Sequence, residues 1–519
     1  MILRHASSPC RRFLRIRHHS SSTSRPLKIA IIGAGPSGFY AASRILSLLP
    51  ISSPIGQNVQ VHMYERLPTP YGLVRYGVAG DHPEVKNCQH KFDELAHDLR
   101  FSFFGNTSIS SQPSSSSTET SPSTSLSTYT YPHALHIPLA SLFPYYSTLL
   151  LTYGASLSNP LSSVPGSSSS SSPLQNVFPA LAFVSWYNGH PAFSTLPVDL
   201  SAIRDVTVIG QGNVALDVCR ILLKSRAELA ATDMPEEVLE TLDRSAVEHV
   251  VAVGRRGPAQ VAFTTKEFRE MLHIDQVGWG GVDARLMEEA KAAVGNERVR
   301  KRLLGLMATV PIEGKAKRFD LGFLRSPREF LPTDENKVER VVWDVNRLNE
   351  GGGAEKTGET GETRTDMVIE SVGYRSEPIG LEESWTLPFD SKRGRVRNVE
   401  GRVVNEDDVA VHGIYAAGWA ARGPVGVIAS TMNDAFSLAS LVIEDYASPN
   451  PSSLSSTPLN QNPEEGIPDL VQRGIKEGKV VTLDGWARID RAERERVPTG
   501  SAKAREKFRT VEQMMGVLG

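Results

Sequence analysis

Cysteine is scarce. Cys10, Cys88 and Cys219 are the only three in 519 residues, and no two of them form a C-x-x-C pair. This excludes a redox-active dithiol, a zinc ribbon or a disulfide framework as the basis of the fold, and no metal site is expected. Long apolar runs are missing too: no stretch approaches the roughly 20 residues that a membrane-spanning helix needs. Charge of one sign is also lacking, with 56 Lys and Arg against 58 Asp and Glu, so no basic surplus points to nucleic acid. Locally, acids are absent altogether before Glu65, while Arg4, Arg11, Arg12, Arg15, Arg17 and Arg25 stand among many serines. Such an Arg- and Ser-rich, acid-free leader predicts a mitochondrial transit peptide over residues 1–26, to be excluded from fold reasoning. A tail without function is the alternative.

What remains is too long for one core and predicts two or more domains. Strand-like runs fall at 28–32, 59–64, 181–187, 205–209, 249–254, 340–345, 367–372 and 409–417. Helix-like stretches at 37–49, 84–99, 213–230, 235–243, 265–273, 283–308 and 426–444 alternate with them. Alternation of this kind predicts a parallel, doubly wound α/β architecture. Three polar stretches, 107–131, 156–173 and 350–365, read as surface insertions. A Pro/Ser/Asn-rich link at 447–465 precedes a partly helical final segment.

Two glycine-rich turns carry the chemistry. Gly33-Ala34-Gly35-Pro36-Ser37-Gly38 follows the first apolar run, and Gly210-Gln211-Gly212-Asn213-Val214-Ala215 follows Asp205–Ile209. Each predicts a strand, a tight turn and a helix whose free N–H groups and dipole hold a pyrophosphate. The strand after the first turn ends in Glu65, a carboxylate able to accept hydrogen bonds from ribose hydroxyls. A solvated strand end is the plain alternative. The strand after the second turn ends in Arg255-Arg256. Guanidinium groups pair bidentately with phosphate, so the pair favours a 2′-phosphate and hence NADP(H), with a solvated basic turn as the alternative. The first site then suits FAD. The second turn lies mid-chain and a strand–glycine element, Ile414–Gly418, lies late. That order predicts two Rossmann-like dinucleotide-binding domains, with the NADP domain (156–370) inserted into an FAD domain built from 27–155 and 371–519.

Residues 70–87 (PYGLVRYGVAGDHPEVKN) are demanded by no general α/β rule. They closely resemble the mitochondrial adrenodoxin (ferredoxin) reductase family, within the two-domain FAD/NADP flavoproteins that include glutamate synthase small subunits. The resemblance continues through Phe104-Gly105-Asn106, Trp186-Tyr187-Asn188-Gly189, 210–223 (GQGNVALDVCRILL) and 253–271 (VGRRGPAQVAFTTKEFREM). It resumes at 323–327 (FLRSP), 371–379 (SVGYRSEPI), 400–404 (EGRVV) and 418–435 (GWAARGPVGVIASTMNDA).

The resemblance implies that NADPH passes a hydride to FAD, and FAD passes single electrons to a mitochondrial [2Fe–2S] ferredoxin serving iron–sulfur, haem or sterol pathways. It implies FAD contacts from Ser37, Glu65, Leu73, Ile109, Trp419 and Gly426, Val427 and Ile428, beside the glycines Gly33, Gly35 and Gly38. It implies NADP contacts from Gln211, Gly212, Asn213, Val214, Arg255, Arg256, Glu267 and Gly426. Trp419 stands where disulfide-reductase relatives carry an Asp; a buried core aromatic is its plain reading. Asp81 or His82 reads as a helix cap before Pro83, ahead of an apolar stripe at Val85, Cys88, Phe92, Leu95 and Leu99. His82 is in addition expected to relay a proton or hydrogen bond toward the flavin together with Asp217. Ferredoxins of this kind are acidic, so a basic face is expected at Arg298, Arg300, Lys301 and Arg302, with Arg269 nearby; a solvated helix face is the alternative. The mitochondrial matrix, or a peripheral position at the inner membrane, is the expected location.

Overall fold

The computed structural model describes residues 26–110, 131–380, 385–447 and 454–519. The leader, except Pro26, and most of the 107–131 polar stretch lie outside these.

Two sheets organise the chain. In the first, strands run in the order 398–399, 402–404, 410–416, 148–151, 28–32, 60–64 and 101–104, with 454–455 pairing to 410–416. The four successive pairings from 410–416 to 101–104 are parallel, Ile29 lying opposite both Val61 and Thr148. The second sheet runs 277–279, 317–322, 249–253, 205–209, 367–370 and 177–179, and its pairings are all parallel. Every strand of the second sheet lies in sequence between two groups of strands of the first. One doubly wound α/β domain is therefore nested in another, and the apolar strands Lys28–Ile32 and Val206–Ile209 are almost wholly buried in their cores. The two connections between domains run side by side: Leu157–Ser158 pairs antiparallel with Tyr374–Arg375.

Several elements depart from the sequence reading. Residues 181–187 are not a strand but the helix Ala180–Tyr187, buried on nearly all sides. A helix without a polar face has no period to reveal it. The expected helix over 84–99 is broken into Pro83–Lys86, Cys88–Asp93 and a 3-10 turn at Glu94–His97, and Leu99 leaves the apolar stripe at 99 % exposure. Residues 283–308 form two helices, Ala284–Val294 and Arg298–Met307.

The polar stretch 350–365 is no loose insertion. Ala354–Arg364 is the outer strand of a three-stranded antiparallel sheet with Val338–Leu348 and Arg325–Pro332. Residues 156–173 are likewise packed in part: Ser167 and Ser168 are buried, and Ser168 donates through N–H (3.1 Å) and Oγ to the buried Glu370 carboxylate.

The final segment is a clamp. Helices Asp469–Lys476 and Leu483–Glu495 lie against the first domain, where Glu493 forms a fully buried ion pair with Arg75 at 2.5 Å. Residues 503–509 then cross to the second domain. The buried Lys507 ammonium donates to the carbonyls of Arg75 and Asn188, both at 3.0 Å, and pairs with Asp233 at 2.9 Å. Glu506 accepts from the Glu236 amide at 2.9 Å, and Arg509 bonds the Ser194 carbonyl at 2.6 Å.

Candidate active site at the junction of the two domains

The first glycine turn links Lys28–Ile32 to the helix Pro36–Leu48. Gly33 has φ +101°, and a Cβ there would lie 2.5 Å from the Tyr153 backbone. A Cβ on Gly38 would lie 2.4 Å from the Gly33 carbonyl oxygen, so helix and strand approach only through glycine. Gly35 differs: a Cβ there meets nothing within 4 Å. The turn is sterically closed behind and open in front, which fits a pyrophosphate at the helix start. Ser37 Oγ is buried there with no hydrogen-bond partner among the described residues.

Glu65 closes the neighbouring strand end. Its carboxylate accepts from the Ala34 amide at 2.9 Å and the Leu67 amide at 3.1 Å. Burial pushes its carboxyl up, against those bonds. Two oxygens with about four lone-pair sites retain capacity for hydroxyl donors. Leu73 opens a short helix, Leu73–Tyr76, after Gly72, where a Cβ would stand 3.2 Å from the Gly35 Cα. Ile109 lies in the strand Thr107–Ser110, buried at 6 % exposure.

The late strand delivers the opposite wall. A Cβ on Gly418 (φ +63°) would stand 2.9 Å from Ser37, so the turn carrying Trp419 rests directly on the first glycine turn. Trp419 is half-buried, its ring 6.1 Å from that of Tyr374. Arg422 reaches from this turn to Thr431 Oγ1 at 2.9 Å and pairs with Asp434, bracing the Gly426–Ile428 bend. Gly426 has φ +88°, and Val427 is exposed.

The second glycine turn repeats the design. A Cβ on Gly210 (φ +128°) would lie 2.1 Å from the Ser371 carbonyl oxygen, while Gly212 faces open space. Gln211 donates to the carbonyls of Ala252 (3.0 Å) and Gly322 (2.8 Å), and Asn213 accepts from the Thr264 amide at 2.8 Å. Val214 follows in the first turn of the helix Asn213–Leu223. Arg255 and Arg256 end the strand His249–Val253. Among the described residues neither guanidinium makes a hydrogen bond or ion pair, which fits them to receive a phosphate.

Between the two turns sits a charge cluster. Arg220, buried to 1 % exposure, bonds Asp81 (2.6 Å), Asp217 (2.6 Å) and Glu267 (3.1 Å), and Lys224 reaches Asp81 at 2.9 Å. Burial alone would raise the Asp81 carboxyl, but Arg220 and Lys224 hold it far below the usual carboxylate range. Burial prevails at Asp217 and Glu267, which are pushed up. Asp81 and His82 do not cap the helix at Pro83 through their side chains. His82 Nε2 instead meets Glu270 Oε2 at 2.7 Å, and its Nδ1 lies 3.5 Å from Arg220 Nη2. The hydrogen bond of His82 thus goes to Glu270, and that of Asp217 to Arg220. Ligand-type atoms of His82, Asp217 and Glu267 lie within 4.8 Å of one another, with the Arg220 guanidinium already bonded to both carboxylates.

Among curated relatives, the mitochondrial NADPH:adrenodoxin oxidoreductase of Drosophila melanogaster is 36 % identical over 511 residues, spanning 96 % of this chain and 95 % of that protein. The chain belongs to the NADPH:adrenodoxin oxidoreductase family. The proteins of the same name from Arabidopsis thaliana and Homo sapiens are each 34 % identical across 97 % of this chain, covering 98 % and 94 % of their own lengths. Among solved structures, Mycobacterium tuberculosis FprA in complex with NADPH matches with a TM-score of 0.78 at 33 % identity, over 95 % of this chain and all of that one. No family model matches. Arg220, Glu270, Tyr374 and Arg422 are further candidate residues at this junction that sequence reading passed over. For Arg220 a signal existed, three residues after Asp217 on one helix face. For Glu270 none did.

Proposed function

We propose that this chain is an FAD-dependent NADPH:ferredoxin oxidoreductase of mitochondria. The observation that carries the reading is the pair of glycine turns, each open at its second glycine, with arginines that have no partner among the described residues beside the second only. When bound, FAD supplies hydride acceptance from NADPH and release of electrons one at a time.

The residues divide accordingly. Gly33, Gly35, Gly38 and the start of their helix receive the FAD pyrophosphate, with Ser37 Oγ among its donors and Glu65 taking the ribose. Leu73, Ile109, Trp419 and the Gly426–Ile428 bend line the ring end. Gln211–Val214 receive the NADP pyrophosphate, Arg255 and Arg256 the 2′-phosphate, and Glu267 and Gly426 the nicotinamide half. His82 and Asp217 hold the proton of the reaction, Glu270 fixing the imidazole and Arg220 the carboxylate. We assign 27–155 and 371–519 to the FAD domain and 156–370 to the NADP domain.

The partner is an acidic [2Fe–2S] ferredoxin. Arg298 and Arg302 are exposed on Arg298–Met307 and form no ion pair among the described residues. Arg269 lies on the helix packed beside it. Arg300 contributes less to that face, because its guanidinium is half-buried and bonds the Val261 carbonyl at 2.5 Å. No described helix is long and apolar enough to cross a membrane; we place the enzyme in the matrix, with peripheral contact to the inner membrane, after a leader over 1–26.

The purified protein should be yellow and should bleach anaerobically with NADPH. Cytochrome c reduction should rise on adding a mitochondrial [2Fe–2S] ferredoxin and fall steeply with salt, while hydride transfer barely changes. A colourless protein indifferent to NADPH after reconstitution would refute the reading. Equal salt sensitivity of both steps would remove the basic face from it.

A further inference from the structure

The three-stranded antiparallel sheet has no part in either nucleotide turn, yet its base meets the arginine strand end. Three successive carbonyls there are each held. The Gly254 oxygen accepts from the Arg325 amide at 3.1 Å, and the Arg256 oxygen from the Leu324 amide at 3.1 Å. Between them, the Arg255 oxygen accepts from the side-chain amide of Asn346 at 3.0 Å. The same Asn346 nitrogen donates to Ser326 Oγ at 2.9 Å, and the Asn346 backbone N–H bonds the Leu324 carbonyl at 2.8 Å. Asn346 is buried to 4 % exposure and follows a register shift between Asp344 and Asn346 against the outer strand. Leu324 is itself held at φ +57°, a conformation that a leucine adopts only under constraint. Both carbonyls of the arginine pair are thus held, while neither guanidinium has a partner among the described residues. Fixing the backbone beforehand reduces what must be ordered when a dianionic phosphate arrives.

We propose that Asn346 is a positioning residue for 2′-phosphate discrimination, and that the three-stranded sheet is the buttress through which it acts. This rests on the reading that Arg255 and Arg256 receive the 2′-phosphate.

The test uses FAD-loaded enzyme, with calorimetric Kd for NADP+ and KM for NADPH and NADH. In Asn346→Leu, which keeps the branched shape and removes the donor, the NADP+ Kd should weaken about tenfold, as should the NADPH KM. The NADH KM and the flavin content should stay within about twofold, since neither depends on the 2′-phosphate contacts. Ser326→Ala, which removes one anchor of that amide, should shift the same ratio less and in the same direction; it carries the test if the leucine variant does not fold. Equal weakening toward NADPH and NADH would mean only a damaged fold and would overturn the proposal, as would an unchanged ratio in the variants that fold. A double Arg255→Ala/Arg256→Ala variant separates the two layers. If it keeps its preference for NADPH, the phosphate reading falls. If it loses that preference while the Asn346 and Ser326 variants retain it, only the buttress falls.

Discussion

Arg220 is the residue on which the junction turns. A guanidinium at 1 % exposure faces Asp81, Asp217 and Glu267 directly, with Glu270 at 3.7 Å. Removing it leaves a group of carboxylates whose remaining partners among the described residues are Lys224 at Asp81, and His82 and Lys266 at Glu270. Arg220→Met should therefore cost about 3–5 kcal/mol of stability in a denaturant titration, the range for breaking a buried ion pair from one side. A variant within 1 kcal/mol of the parent would show that water already screens the cluster. Sequence reading reached His82 and Asp217 through family likeness but left both without their actual partners. The bond from Arg220 to Asp81 spans 139 residues, and no periodicity carries information across such a gap. At His82 a direct test is His82→Gln, which should retain FAD while slowing electron transfer to the acceptor; unchanged turnover would remove the residue from the reaction.

Among elements, the glycine turns make a paired forecast. Gly35→Ala adds a methyl to open space at φ −84°, so the apoprotein should keep its melting temperature and lose its flavin. Gly38→Ala drives a methyl to 2.4 Å from the Gly33 oxygen and should destabilise by about 1–3 kcal/mol whether or not flavin is present. Thermal melts and flavin absorbance on both variants distinguish the two; a Gly35→Ala protein that stays yellow would refute the pyrophosphate assignment. These turns were legible because strand, glycine spacing and helix agree with one another at short range. The helix Ala180–Tyr187 was not, since eight residues with a single half-exposed position look like a buried strand. Nor was the strand Ala354–Arg364: its glycines and charges read as a loop, and only pairing with Val338–Leu348 makes it extended.

For the molecule as a whole, the terminal clamp sets how firmly the domains hold together. Burial lowers the Lys507 ammonium to about 7, against the attraction of Asp233. Although burial alone would raise Asp233, Lys507 and Lys86 keep it far below the carboxylate range, so it remains an anion and the lysine proton is the one that leaves. Lys86 and Arg75 add repulsion from the first domain. An unfolded lysine titrates near 10.4, so between pH 7 and 10 the unfolded chain binds more protons than the folded one and stability rises with pH. Below pH 7 both states are protonated and the contribution is flat. Lys507→Met should abolish that rise, as read from denaturation midpoints across the range; a parallel pH profile in the variant would show that Lys507 does not titrate there. None of this was visible beforehand: a lysine in a charged tail segment reads as solvated, and its burial arises only where three distant segments meet.

The nesting of one sheet inside the other also dictates an order of events. The strand 410–416 completes the parallel core of the outer sheet next to 148–151, and some 250 residues of chain separate the two. As the polypeptide emerges from a ribosome or a translocation pore, all six inner strands are delivered before that partner arrives. The inner Rossmann unit is thus complete while the outer one still lacks a wall, and flavin loading waits for the last quarter of the chain.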